Sequence, residues 1–312
     1  MSAHPSPFAF VDGALDRADL LRADADALLA LWPQASVVVL DADGRAHADD
    51  AGNLHARSGA DLGGGPGIST FLGLRDGHGW FAADADNLAL HSPQRIDLRS
   101  AAARWPAWQA SVFAQARALQ HWHQKYRFCS ACGGSMRFVR AGWLGLCEGC
   151  GSEHYPRTDQ AVIVAVGDGE RLLLGRQASW PARRWSVVAG FVEPGETLEM
   201  AVAREVMEET GVRVRASCYL ASQPWPFPGS LMLGFIADAD PDEPRVGDEL
   251  EAARWFTAGE IRAALARDWV DATGDQGDGI VLSPPVSIAR HVIGTWLQQH
   301  DAERATDKGI AT

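Results

Sequence analysis

The 312 residues are enough for two or three domains with ample cores. Hydrophobic residues make up 46% and charged residues 22%, as in a globular chain, and a formal net charge of -12 argues against broad nucleic-acid binding, which draws on many Lys and Arg. The opening MSAHPSPFAF has no basic segment leading into a long apolar run, so no secretory signal is expected, and no run of 18 apolar residues suggests a membrane span.

In chain order, residues 1–125 are rich in Ala, Asp and Leu. Residues 37–40 and 68–74 read as short strands, and residues 98–120 as a helix interrupted or restarted at Pro106. No catalytic pattern stands out here, so the region is expected to be an N-terminal mixed α/β domain serving as scaffold or dimerisation unit.

Residues 126–156 carry four of the five cysteines, in two C-x-x-C knuckles: Cys129 with Cys132, and Cys147 with Cys150. Two such pairs, fourteen residues apart, are the pattern of a zinc ribbon. Four thiolates would close a tetrahedral shell and leave no room for a reactive water, so the zinc is expected to be structural. A redox pair is the weaker alternative. His121, His123 and His154 flank the cluster but are not needed as ligands. Cys218 lies alone in an apolar segment and reads as a small core residue. This cysteine usage fits a reducing, cytoplasmic compartment rather than a disulfide framework.

Beyond the cysteines, residues 161–166 and 171–175 read as paired strands across the turn at 167–169, and 185–189 as another strand. A helix follows, with Thr197 as N-cap and Gly211 as its left-handed stop. Residues 212–221 and 231–237 read as strands. Thr257 and Glu260 form a capping box for a further helix, 271–285 a Gly/Pro-rich loop, and 286–300 a final amphipathic helix. Strands alternating with single helices indicate an α/β or α+β sandwich.

The chemistry concentrates in GFVEPGETLEMAVAREVMEETGV, which begins at Gly190. Gly190, Glu196, Arg204, Glu205, Glu208, Glu209 and Gly211 fall at the spacing G-x5-E-x7-R-E-x-x-E-E-x-G. At about 100° per residue, Glu205, Glu208 and Glu209 share one arc of the helix. Like charges so close repel, and a divalent cation removes that cost. Carboxylate oxygens suit hard ions such as Mg²⁺ or Mn²⁺. Glu205 and Glu209 are expected to be the main ligands, and Glu208 a ligand or the general base. Arg204, one turn before Glu208, is expected to orient it, with Glu196 a structural partner of the loop and helix. After this helix, SQPWPFPGS at 222–230 has three alternating prolines that forbid helix. It reads as a stiff extended loop whose Trp225 and Phe227 either line a pocket for a ring or plug the core, with Gln223 and Ser230 offering hydrogen bonds.

The glutamate pattern resembles the Nudix box. The SQPWPFP segment resembles the array that marks the NADH pyrophosphatase subfamily, and a zinc ribbon just before the catalytic domain is also a subfamily feature. The resemblance spans about residues 126–300. It implies a Nudix α/β/α sandwich over residues 157–302, ending in the C-terminal helix, with 303–312 as a flexible tail. It also implies metal-dependent hydrolysis of NADH or NAD⁺ to nicotinamide mononucleotide and AMP, and removal of NAD caps from RNA 5′ ends. The implied metal shell is the Ala189 carbonyl with Glu205, Glu209 and a later glutamate: Glu249, counted back from Trp255, with Glu251 as fallback. Tyr155 and Phe191 would stack on a base. Gln223, Pro224, Trp225, Pro226, Phe227, Pro228, Gly229 and Ser230 would bind substrate, and Ala289 would add a backbone contact from the C-terminal loop. A homodimer is implied by resemblance alone. Gly142 departs from relatives that carry a carboxylate before the ribbon tryptophan, and the Gly/Asp-rich loop 273–280 looks longer than usual. The competing readings are a diphosphatase for ADP-ribose, CoA or a dinucleoside polyphosphate, and a non-catalytic nucleotide-binding regulator.

Overall fold

The computed structural model describes residues 8–13, 15–88, 90, 92–267 and 278–310. The chain divides into two compact units. One comprises Ala9–Thr158 with Pro224–Ser230; the other comprises Met1–Phe8, Asp159–Gln223 and Leu231–Thr312. The cysteine segment therefore falls in the same unit as residues 9–125, together with the tip of the proline-rich segment.

The N-terminal unit holds β1 (Ser36–Leu40), β2 (Ala46–Ala48), β3 (Arg57–Ser58), β4 (Thr70–Arg75), β5 (His78–Asp84) and β6 (Gln94–Ile96) in one sheet. Its order is β4-β5-β1-β2-β6, with β3 also against β1. β1 runs parallel to β5, pairing Val38 with Ala82, and antiparallel to β2. Its SVVVL run suits this central place, since β-branched residues pack well on a pleated surface and Val37, Val38 and Val39 are fully buried. Four helices, α1 (Ala25–Leu31), α2 (Gly59–Leu62), α3 (Leu98–Arg104) and α4 (Ala107–Lys125), complete this part. The break expected at Pro106 is present. Trp105 takes φ -82° and ψ 158°, the extended form that a following proline imposes. α4 buries Phe113, Ala116, Leu119 and Trp122. The ribbon adds β7 (Met136–Val139), β8 (Leu144–Cys147) and β9 (Glu153–His154), a three-stranded antiparallel sheet in that order.

The second unit holds β10 (Asp159–Gly167), β11 (Arg171–Arg176), β12 (Val188–Phe191), α5 (Leu198–Thr210), β13 (Val214–Trp225), β14 (Ser230–Ala239), β15 (Ala252–Thr257), α6 (Ala258–Leu265) and α7 (Ile288–Ile310). Strand order is β13-β14-β10-β11-β15, with β12 also on β10. α5 and α7 both pack on β10, and α6 packs on β11, β15 and α7. Every residue of β10 from Ala161 to Gly167 is buried, as a strand covered on both faces requires. Val162, Val164 and Val166 share a core with Ala201, Val202 and Val206 of α5. This is the expected α/β sandwich.

Several boundaries differ from the sequence reading. The strand expected over 185–189 lies at Val188–Phe191, because Trp185 donates to Val281 and Ser186 exchanges both backbone bonds with Gly175 as an isolated bridge. β13 runs on to Trp225 through Pro224, which an edge strand tolerates because one side of its ladder needs no donor. Cys218, expected in the core, is exposed on this edge strand. α7 begins at Ile288 and continues past residue 300, where a tail was expected, since DAERATDK carries good helix formers. Residues 268–277 lie outside the described residues, and with them most of the loop singled out at 273–280.

Candidate active site

α5 forms where the sequence signals place it. Thr197 Oγ1 accepts from the Met200 amide at 3.2 Å, and Gly211 closes the helix at φ 69°, its amide donating to Met207 O at 2.8 Å. The helix packs on β12, and that contact sets the site. The Glu205 carboxylate lies directly against Gly190, so closely that a Cβ there would overlap it. Gly190 stands opposite Val162, and Ala189 opposite Ile163, across the β10–β12 ladder.

Arg204 organises the carboxylates. Its Nε and Nη2 donate to the two oxygens of Glu196 at 2.7 and 2.9 Å. Its Nη1 donates to Glu205 at 2.9 Å and Glu208 at 3.0 Å. Nη2 also donates to the Phe191 carbonyl at 2.9 Å, tying the helix to the end of β12. One planar guanidinium thus spans three carboxylates and a backbone oxygen, a task its fork suits and an ammonium does not. Arg204 and the Glu193 amide pull Glu196 down to about 2. Glu196 therefore ties the Glu193 loop to Arg204 of the helix.

Glu209 is different. It is 8% exposed, and no cation or hydrogen-bond donor meets its carboxylate among the described residues. Burial first, and then the charges of Glu205, Glu249 and Glu208, push it up to about 7. Burial likewise raises Glu205 despite Arg204, with Glu208 and Glu249 adding to the effect. A buried carboxylate amid three others is an electrostatic deficit that a divalent cation would fill. The oxygen donor set suits a hard metal ion. Glu208 is mostly exposed, with its side chain at 59%.

The sequence left Glu249 and Glu251 as alternatives. Glu249 faces the α5 cluster electrostatically, whereas Glu251 pairs with Arg176 at 2.5 Å. The loop carrying Glu249 is pinned to the end of α5: the Arg245 amide donates to Thr210 O at 2.7 Å, and Gly247 to Glu209 O at 3.4 Å. At its start, the Trp255 indole donates to Asp242 O at 2.8 Å, and Asp242 is clasped by Arg213. No short motif announces these contacts, because they join residues 13 to 38 positions apart through irregular backbone.

The remaining expected positions are scattered. Tyr155 and Phe191 are among the most exposed aromatics, at 58% and 60%, and the Tyr155 hydroxyl donates to Glu153 at 2.6 Å. Gln223 is fully buried, its amide donating to Val286 O at 2.8 Å and its oxygen accepting from the Ile288 amide at 2.9 Å. Trp225 and Phe227 pack against the core of the N-terminal unit, both with rings 6.4 Å from that of Phe10. The Arg99 guanidinium lies 4.2 Å over Phe227. These contacts are those of a core plug. Pro226 is buried, Pro224 and Pro228 are exposed, and Gly229 and Ser230 are half-buried. Ala289 lies not in the C-terminal loop but in the first turn of α7, where it is buried and its amide donates to Ser287 Oγ at 3.2 Å.

The four knuckle cysteines converge. Their sulfurs all lie within 4.8 Å of one another, with Cys129 3.8 Å from Cys150 and Cys132 3.4 Å from Cys147. Tetrahedral Zn–S bonds of about 2.3 Å require sulfurs about 3.8 Å apart, so the set fits zinc. Gly133 and Gly151, each at φ 75°, close the two knuckles in a conformation that side chains disfavour. The Ala131, Gly134 and Gly149 amides donate to sulfur at 3.3 to 3.4 Å. The Ser152 hydroxyl and amide pull Cys150 down to about 6. Of the three flanking histidines, His154 lies against the cluster, its Nε2 3.4 Å from Cys129 Sγ.

Residues 156–273 match the NUDIX domain, and residues 124–155 match the NADH pyrophosphatase zinc ribbon domain. The NAD-capped RNA hydrolase NudC of Mycobacterium bovis is 41% identical over 301 residues, 90% of this chain and 92% of that protein. The chain belongs to the Nudix hydrolases of the NADH pyrophosphatase subfamily. The NAD-capped RNA hydrolase NUDT12 of Homo sapiens is 41% identical over 201 residues, 61% of this chain and 42% of its own length. A NUDIX hydrolase structure from Nitrosomonas europaea superposes with a TM-score of 0.44 at 24% identity, covering 55% of this chain and 91% of that one, too slight a likeness to add to the argument. In this Nudix hydrolase, the zinc ribbon domain and its cysteine cluster coincide, and the glutamate helix lies within the NUDIX match.

Proposed function

We propose that the chain hydrolyses the pyrophosphate bridge of NADH and NAD⁺, giving AMP and nicotinamide mononucleotide, and removes NAD caps from RNA 5′ ends. The observation that carries the chemistry is Glu209, a buried carboxylate without a counter-charge among the described residues, facing Glu205, Glu208 and Glu249. The relatives named NAD-capped RNA hydrolase support the substrate, since one aligns over 90% of the chain.

Glu205, Glu209 and Glu249, with the Ala189 carbonyl, would hold Mg²⁺ or Mn²⁺. Such an ion neutralises phosphate charge and lowers the pKa of water. Arg204 keeps Glu205 and Glu208 in register with the Phe191 backbone, so the carboxylates need little rearrangement. Glu208, being exposed, would serve either as a further ligand or as the group that takes a proton from water. Hydrolysis adds one water across the P–O–P bridge, the new P–O bond forming as the bridging bond breaks. Tyr155 and Phe191 present exposed rings for stacking on a base. The 223–230 segment would meet the substrate through its exposed prolines, while Trp225 and Phe227 hold it in place. A homodimer and a cytoplasmic location belong to the same proposal. No helix of the described residues is long and apolar enough to cross a membrane.

The test is incubation of the purified protein with NADH, ADP-ribose and NAD-capped RNA, with Mg²⁺ or Mn²⁺. Release of AMP and reduced nicotinamide mononucleotide from NADH is expected. Cleavage of ADP-ribose alone would replace this reading with the broader nucleoside-diphosphate one.

A further inference from the structure

The N-terminal unit contains a cavity of about 470 Å³, within the size range of small-molecule sites. It is bordered by the turn Pro66–Ile68 and lies among β5, α4 and the ribbon. Small side chains, Ala82, Ala83 and Ala116, leave the room, and the rings of Phe81, Phe138 and His123 supply flat apolar walls. The His123 and Phe138 ring centroids are 4.2 Å apart.

The polar groups facing this space are mostly acceptors. Gln120 spends its amide nitrogen on Asp84 Oδ1 at 2.7 Å and on the Asp41 carbonyl at 3.0 Å, and its oxygen accepts from Arg117 Nη1 at 3.4 Å. Asp84 forms no ion pair among the described residues, and its second oxygen has no partner there. His123 Nε2 lies 2.7 Å from the Gly142 carbonyl, so Nε2 carries the proton and Nδ1 is an acceptor. Burial keeps this histidine below its usual pKa, hence neutral near pH 7. No lysine or arginine lines the cavity among the described residues, so a phosphate would find no counter-charge. We propose that this cavity is a second ligand site, distinct from the glutamate cluster, for a flat amino-substituted heterocycle without phosphate, of the aminopurine class. Such a ring donates a hydrogen bond to Asp84 and stacks on Phe138. The assignment does not depend on the proposed hydrolysis.

Adenosine is the probe, with inosine and AMP as comparisons, titrated by calorimetry into the full-length, zinc-loaded protein. Saturable adenosine binding is expected, tighter than either comparison by about tenfold, because inosine lacks the donated amino group and AMP brings an unpaired charge. Ala116→Leu fills the cavity and should abolish binding. Asp84→Asn keeps the shape, removes the charge, and should weaken binding about tenfold. Neither variant should change the metal-dependent hydrolysis more than twofold. Absence of adenosine binding, binding no tighter than that of AMP, or binding that survives both variants would overturn the proposal.

Discussion

Replacing Gly190 by alanine separates the chemistry of the site from its folding. Gly190 does not occupy the left-handed region, so alanine is acceptable to its backbone. The added Cβ would fall within the van der Waals envelope of the Glu205 carboxylate. Ordinary carbon contacts need about 3.5 Å, so the carboxylate must retreat by at least about 1 Å. That group is the far end of a flexible side chain, and its retreat costs the fold little. It is also a proposed metal ligand, and a misplacement of about 1 Å in a catalytic array costs on the order of 10²-fold in rate. Gly190→Ala should therefore lose about two orders of magnitude in kcat/KM for AMP release from NADH, while its Tm stays within a few degrees of the parent. A variant that cleaves within about threefold of the parent would show that the position of Glu205 against Gly190 does not matter to the reaction.

Glu249→Gln should lose at least about 10²-fold in rate through a weakened metal shell, whereas Glu251→Gln, which only frees Arg176, should stay within about threefold; the reverse ranking in a steady-state assay would reassign the ligand. Because Glu209 is raised to about 7 from an ordinary value near 4.5, its ionisation opposes folding of the metal-free protein. That stability is fully present below about 4.5 and is lost as pH rises through 7. Metal-free melts should fall over this window, Mg²⁺ should restore Tm above it, and Glu209→Gln should flatten the profile; a profile identical in parent and variant would refute the environment assigned to Glu209. In native protein one thiol, the exposed Cys218, should react promptly with a disulfide reagent, and the other four only as one zinc is released; five equally reactive thiols with no metal would refute the ribbon.

The chemistry was legible in the sequence wherever it rests on local spacing. Caps at Thr197 and Gly211 framed α5, the two cysteine knuckles framed the sulfur cluster, and the break at Pro106 followed from one residue's steric demand. What escaped depends on distant segments meeting. The pinning of the 245–247 loop to α5, the packing of the half-buried Trp225 and Phe227 beside Phe10, and the parallel pairing of β1 with β5 leave no periodic trace. Cys218 was misjudged because apolar neighbours imply a core only when the strand has partners on both sides, and β13 is an edge. The reach of α7 was misjudged because a polar helix end looks like a tail when no apolar stripe marks it.

The proposed reaction is cleavage of the pyrophosphate of a nicotinamide dinucleotide at the glutamates gathered around Glu209. Chromatography of NADH incubated with the protein and Mg²⁺ or Mn²⁺ tests it directly. Equal amounts of AMP and reduced nicotinamide mononucleotide are expected from the parent and almost none from Glu209→Gln; intact NADH under every metal condition would contradict the proposed reaction.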